Sequence, residues 1–328
     1  MTPKWHIAFC NVTITKYAGM SYADYYGSPV NMLEAQLKAS EYAEKRFGVG
    51  KFINPYIDSP SGLLSSYLGT PVVYSSEDEL PYIDSTRPLL TKPEDIERLH
   101  IPDYKTSGLM AKRWEAWQYY ISCGYKVRFW TTHGGSVITT ACEITSSNIF
   151  LWLMENPEKA MKILDFIVSV DKYLEGVDKE LCGENPDGYT GDDFAGLLSP
   201  EMYKRFAVPY YEKLYEGKKT RSMHSELLRA EHLRIAKEIL DITSFHGAEA
   251  KNLTTAEMYE IMGYNFWVQV TPQQMKEYTP YQLEEKIKEF ANCGAGYVQI
   301  YPGRDTPDIN METAITVLQK ECKGGPAV

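Results

Sequence analysis

The chain has 328 residues, 44% of them hydrophobic, which is too long for a small stapled domain and suits one large barrel or two ordinary domains. A formal net charge of −10 argues against nucleic acid or an anionic membrane surface as partner, because the long-range field is repulsive. Six scattered cysteines without a CxxC pair, no basic-then-apolar leader, and no run near the roughly 18–20 apolar residues of a membrane span point to a soluble cytoplasmic chain without disulfides.

Residues 1–50 read as an added N-terminal segment with a helix over 28–47. From about residue 50, short apolar runs alternate with helical patterns. The strand-like runs are 51–57, 71–75, 126–132, 187–193, 220–226, 241–246, 265–271 and 296–302, most of them bounded by Gly, Pro, Asn or Asp. Such alternation predicts a parallel sheet buried on both faces. Eight runs fit an α/β fold of the (β/α)₈ TIM-barrel type with an N-terminal helical extension, as a single domain over 1–328. A doubly wound open sheet is the alternative. The polar stretch 75–104, with four prolines, is expected to be an excursion over the barrel mouth.

Helix starts are well punctuated. Asn156-Pro157 opens one, and Ala160, Ile163, Ile167, Val170, Leu174, Val177 and Leu181 then form one apolar stripe. Ser199-Pro200 opens another. Thr254 to Glu257 and Thr279 to Gln282 have capping-box spacing.

Four constellations carry candidate chemistry. His224-Ser225-Glu226 ends a predicted strand, where residues two apart share a face, so His224 and Glu226 project together. The next strand ends in His246-Gly247-Ala248-Glu249, so Glu249 and His246 are expected near the same point. One His with two carboxylates is a sensible zinc shell with an open position. The bland alternative is a salt-linked Glu249 and a satisfied core His246. Asp192-Asp193-Phe194 follows another strand, and its carboxylates are candidates to take a proton, orient substrate or bind a cation. Against this stands a loop-capping Asp beside a solvated one. His133-Gly134-Gly135 follows the run ending at Trp130 and allows close backbone approach, or marks an ordinary turn. Arg304 after a late strand suits a carboxylate, or pairs with Asp305. No GxGxxG, P-loop or GxSxG motif is present, which argues against dinucleotide binding, P-loop hydrolysis and serine-elbow chemistry.

Taken together, these segments resemble the uroporphyrinogen decarboxylase-like superfamily, and within it the corrinoid-dependent methyltransferase branch. The matching pieces are His224-Ser225-Glu226, Asp192-Asp193-Phe194 through Leu197-Leu198-Ser199-Pro200-Glu201, Met154-Glu155-Asn156-Pro157-Glu158, Lys251-Asn252-Leu253-Thr254, and the stretch from Arg87-Pro88 to Pro102-Asp103. The likeness spans roughly residues 28 to 320. It implies a (β/α)₈ barrel with its site at the C-terminal mouth. Thiol-methylating members carry zinc on a His-x-Cys motif and a later Cys. Here His224 matches, but Glu226 and Arg304 stand at the two Cys places. In cobalamin-independent methionine synthase, a related barrel, a Glu ligand follows the His by an interval that falls near Glu249.

The resemblance therefore implies zinc on His224, Glu226 and Glu249, a set of harder donors suited to a metal that meets oxygen. The activity it implies is demethylation of a small methoxylated, aromatic substrate. The methyl group passes to the cobalt(I) corrinoid of a partner corrinoid-binding protein, as in an O-demethylase system. Asp192, Asp193 and His133 are the catalytic candidates. Arg304, His246, Trp130 and Phe194 are the substrate-binding candidates, and a homodimer is allowed. Three readings compete. Tetrapyrrole decarboxylation needs an Arg-rich N-terminal loop, and residues 1–30 hold no Arg. Methyl transfer from corrinoid to a thiol or folate fits poorly with the missing cysteines. A barrel that only binds is the third.

Overall fold

The structure, a computed structural model, describes residues 2–48, 54–130, 137–248 and 250–326. In chain order its strands are β1 (Lys4–Ile7), β2 (Val72–Val73), β3 (Tyr82–Ile83), β4 (Asp187–Gly191), β5 (Thr220–His224), β6 (Ser244–His246), β7 (Phe266–Val270), β8 (Tyr297–Ile300) and β9 (Lys323–Pro326). The chain forms two compact units, Met1–Pro55 with Thr243–Val328, and Tyr56–Ile242. It is an α/β fold with parallel sheet in both units.

In the first unit the strands lie in the order β6-β7-β8-β1-β9, with each paired register parallel. Alternation along the strands separates two faces. Phe266, Val268, Val270, Val298, Ile300, Trp5 and Ile7 form one apolar face, each 3% exposed or less. Helices Thr255–Met262 and Pro280–Asn292 pack on β7, and Pro280–Asn292 also lies along Asp308–Glu321. Pro280–Asn292 starts where its sequence says it should. Thr279 accepts the Gln282 N–H at 3.3 Å, the Gln282 side chain takes the Thr279 N–H at 2.9 Å, and Leu283, Ile287 and Phe290 fill the buried stripe.

Residues 1–50 are not simply an added helical segment. Lys4–Ile7 enters the sheet between β8 and β9, in register Lys4↔Tyr297 to Ile7↔Ile300. Four residues of alternating polar and apolar type are too short a signal to stand out from sequence. The expected helix is present as Pro29–Phe47. Ser28 caps it by accepting the Asn31 N–H at 3.2 Å, and Gly48 closes it with φ 65°. Tyr42 and Arg46 tie it to the last helix through Asp308 and Glu312.

In the second unit β4 and β5 pair in parallel, from Asp187↔Thr220 to Gly191↔His224. Helix Pro157–Cys182 runs 26 residues and buries Ala160, Ile163, Ile167, Val170, Leu174 and Val177, the stripe legible in the sequence. The stretch 75–104 carries β3 and the short turn Pro93–Arg98, which packs on that helix.

Among the described residues no closed eight-stranded barrel is formed. Three of the eight expected strands differ. Run 71–75 gives only β2, in an antiparallel ribbon with β3 (Val72↔Ile83). Residues 54–57 and 126–130 carry no strand, and the rest of those two runs lies outside the described residues. Their backbone groups are met by buried side chains instead of a ladder. Arg113, 6% exposed, donates to the carbonyls of Ile57 (2.9 Å) and Phe129. Trp117 donates to Val127 O at 3.2 Å, and Asp178 accepts the Trp130 N–H at 3.0 Å. Burial lowers the Arg113 guanidinium to about 10, so it stays charged near neutrality. Once these groups are satisfied, strand pairing is no longer required of them. No single helix among the described residues is long and apolar enough to cross a membrane.

Candidate functional site

The C-terminal ends of β4 and β5 bring three of the candidate residues together. The Asp192 N–H donates to His224 O at 3.1 Å, which carries the β4–β5 pairing one step past Gly191. That step sets Asp193 beside the chain leaving β5. Asp193 Oδ1 accepts the Glu226 N–H at 2.8 Å and lies 3.7 Å from His224 Nε2. Ser225 is 1% exposed, whereas His224 and Glu226 on either side of it are part-exposed. The Asp193 side chain is the accessible carboxylate of its pair, at 42%.

Asp192 occupies the opposite environment. It is 3% exposed, and both oxygens are taken. Oδ2 accepts the Ile138 N–H (2.9 Å) and the Tyr211 hydroxyl (2.7 Å); Oδ1 accepts the Thr139 N–H (2.9 Å) and hydroxyl (2.8 Å). It thus anchors the first turn of helix Val137–Thr145, where a carboxylate also meets the helix dipole. Burial pushes its carboxyl above the ordinary value, opposed by these hydrogen bonds. On the same helix, burial holds the Glu143 carboxyl up at about 7. The Ser65 hydroxyl opposes that shift and the charge of Asp192 adds to it.

The short turn Phe194–Leu197 continues from Asp193, leaving Phe194 36% exposed. It presses on the chain after Glu226. A Cβ added at Gly196 would stand 2.4 Å from the Leu227 carbonyl carbon, so only glycine permits this approach. His232 fixes the far side: Nδ1 accepts the Arg229 N–H at 3.3 Å, and Nε2 donates to Leu198 O at 3.0 Å.

The remaining candidates fall elsewhere. Trp130 is 2% exposed and lines a cavity with Asp187 and Gly188, at the N-terminal end of β4, away from Asp193. In the first unit, His246 packs edge-on to Trp267 at 5.8 Å, and the Arg304 guanidinium sits 5.1 Å over the Tyr22 ring. His133, with Gly134-Gly135, and Glu249 lie outside the described residues. Among the described residues no three His, Cys, Asp or Glu side chains are gathered as a metal site. Of the expected zinc set, His224 and Glu226 are described and supply the imidazole and carboxylate donor types that zinc accepts.

Tyr211, Gln269 and Gln299 are polar residues that sequence reasoning passed over. Tyr211 lay inside a helical pattern with nothing to mark its hydroxyl. The two glutamines did carry a signal, each sitting inside an apolar strand, in Phe266–Val270 and Tyr297–Ile300.

Residues 3–241 match the family model for uroporphyrinogen decarboxylase. No curated protein matches the chain. Among solved structures, a methyltransferase from Methanosarcina mazei superposes with a TM-score of 0.73 at 14% identity, covering 97% of this chain and 94% of that one. At that identity the likeness shows shared fold.

Proposed function

We propose that this chain, which belongs to the uroporphyrinogen decarboxylase family, is a methyltransferase that demethylates a small methoxylated aromatic compound and passes the methyl group to a cobalt(I) corrinoid on a partner protein. One observation carries the reading: β4 and β5 end with the Asp193 carboxylate 3.7 Å from the His224 imidazole, beside Glu226. The family match and the likeness to the Methanosarcina enzyme support it.

His224, Glu226 and Glu249 would hold zinc, which supplies Lewis acidity toward an ether oxygen when bound. The chain's own residues set up the rest. Asp193 orients the His224 ring and fixes the Glu226 backbone through its N–H. With both Asp192 oxygens occupied, proton handling at the leaving oxygen falls to Asp193. Asp192 and Tyr211 hold the helix start that frames the site. Phe194, exposed next to Asp193, offers an aromatic contact for the substrate ring.

The test is zinc content and demethylation measured together in Glu226→Ala. The proposal expects both to be lost. Full activity in a metal-free variant contradicts it.

A further inference from the structure

The second face of the first unit's sheet is polar and aromatic where a barrel core is ordinarily aliphatic. In register across β6, β7, β8 and β1 it carries His246, Trp267, Tyr297 and Lys4, then Gln269, Gln299 and His6 one layer toward the C-terminal ends. Trp267 and Tyr297 stack with ring centroids 4.1 Å apart and 7° between planes. His246 and His6 stand edge-on to Trp267, at 5.8 and 5.9 Å.

Beside the edges of this stacked pair Gln299 Nε2 donates to Gln269 Oε1 at 2.5 Å. The two side chains are 8% and 5% exposed. Whichever way two amides are turned, one bond between them leaves an N–H on one and a carbonyl on the other. Among the described residues neither amide makes a second hydrogen bond. Neither leftover amide group is fully buried, and a donor held beside an acceptor at such an opening is a recognition element.

We propose that this face binds a neutral, planar ring bearing a hydrogen-bond donor beside an acceptor. The ring sits against the edges of the Trp267–Tyr297 stack. Its acceptor takes the free amide N–H, and its donor gives to the free amide carbonyl. Both hydrogen-bonding groups are uncharged, so the match is to a lactam or an ortho-hydroxy aryl ether rather than to an ion.

Four probes test it by calorimetric titration of the full chain. 2-Pyridone and 2-methoxyphenol both carry the donor–acceptor pair, whereas 1,2-dimethoxybenzene and anisole lack the donor. The first two are expected to bind about tenfold more tightly than the last two, the factor carried by one hydrogen bond to a buried amide. Gln269→Met and Gln299→Met should each erase that preference while keeping the wild-type melting profile. The probe series on the unaltered protein stands by itself if either variant fails to fold. Only the choice of 2-methoxyphenol rests on the methyl-ether reading above. If 2-pyridone alone is preferred, the site stands and that reading loses support. Equal binding of all four, or binding of none, overturns the site.

Discussion

Asp171→Asn should stabilise the protein at alkaline pH and not at acid pH. Asp171 lies on helix Pro157–Cys182, 6% exposed, in a cavity of about 20 Å³ with Trp130, Glu175, Asp178, Asp187 and Lys218. Burial, then the negative Glu175, raise its carboxyl from 3.8 to about 7, against Lys172 and Lys218. Between these two values the folded state holds a proton that the unfolded chain has released. Stability from this group is therefore intact below pH 3.8, falls as pH rises, and is fully lost above pH 7. The difference between these two values corresponds to about 4 kcal/mol. Asparagine keeps the shape and removes the charge, but its buried amide costs about 1–3 kcal/mol where a partner is missing. The net expectation is a gain of about 1–3 kcal/mol at pH 8 and a loss of about 1–3 kcal/mol at pH 4. Urea-unfolding midpoints of both proteins at the two pH values measure it. The same midpoint difference at pH 4 and pH 8 would refute the reasoning.

Three further outcomes follow from the site. Tyr211→Phe removes the hydroxyl bonded to buried Asp192 and should cost about 1.5–3 kcal/mol in denaturant unfolding, the range for hydrogen bonds to charged groups. Gly196→Ala forces the Phe194–Leu197 turn off Leu227; catalytic turnover is expected to fall at least about tenfold while the far-ultraviolet dichroism is kept, since such misplacements disrupt near-attack geometry. His232 is fully buried, and burial lowers its ring below the ordinary 6.5. The unfolded chain therefore takes up a proton first as pH drops, and the fold should lose stability below pH 6.5. His232→Gln should flatten that acid limb of the melting-temperature profile.

Strong local signals carried most of what the sequence showed. The parallel strands β4, β5, β7 and β8, the stripe of helix Pro157–Cys182 and the Thr279 cap all stood in residue periods or fixed offsets, which tertiary context leaves in place. Period two predicted His224 and Glu226 on one face, but β5 ends at His224, and it is the Glu226 backbone N–H that Asp193 holds. The misses arose where a distant side chain replaced a ladder. Run 126–132 has strand composition, yet in its described part Arg113, Trp117 and Asp178 take the backbone groups of Phe129, Val127 and Trp130, and no local pattern announces a buried arginine. The Asp192-Asp193 doublet left open two chemical carboxylates or one loop cap beside a solvated acid, with nothing to say which was which. Only the packing of Tyr211 and Thr139 assigns one to the helix start and leaves the other beside His224.

The most direct measurement mixes the zinc-supplemented protein with 2-methoxyphenol and free cob(I)alamin under anaerobic conditions and follows the cobalt absorption. The account expects the cobalt(I) band to give way to methylcobalt with release of catechol, and expects His224→Ala and Asp193→Ala to abolish the change. An unchanged cobalt(I) spectrum with protein that retains stoichiometric zinc and binds the phenol would contradict methyl transfer at this site.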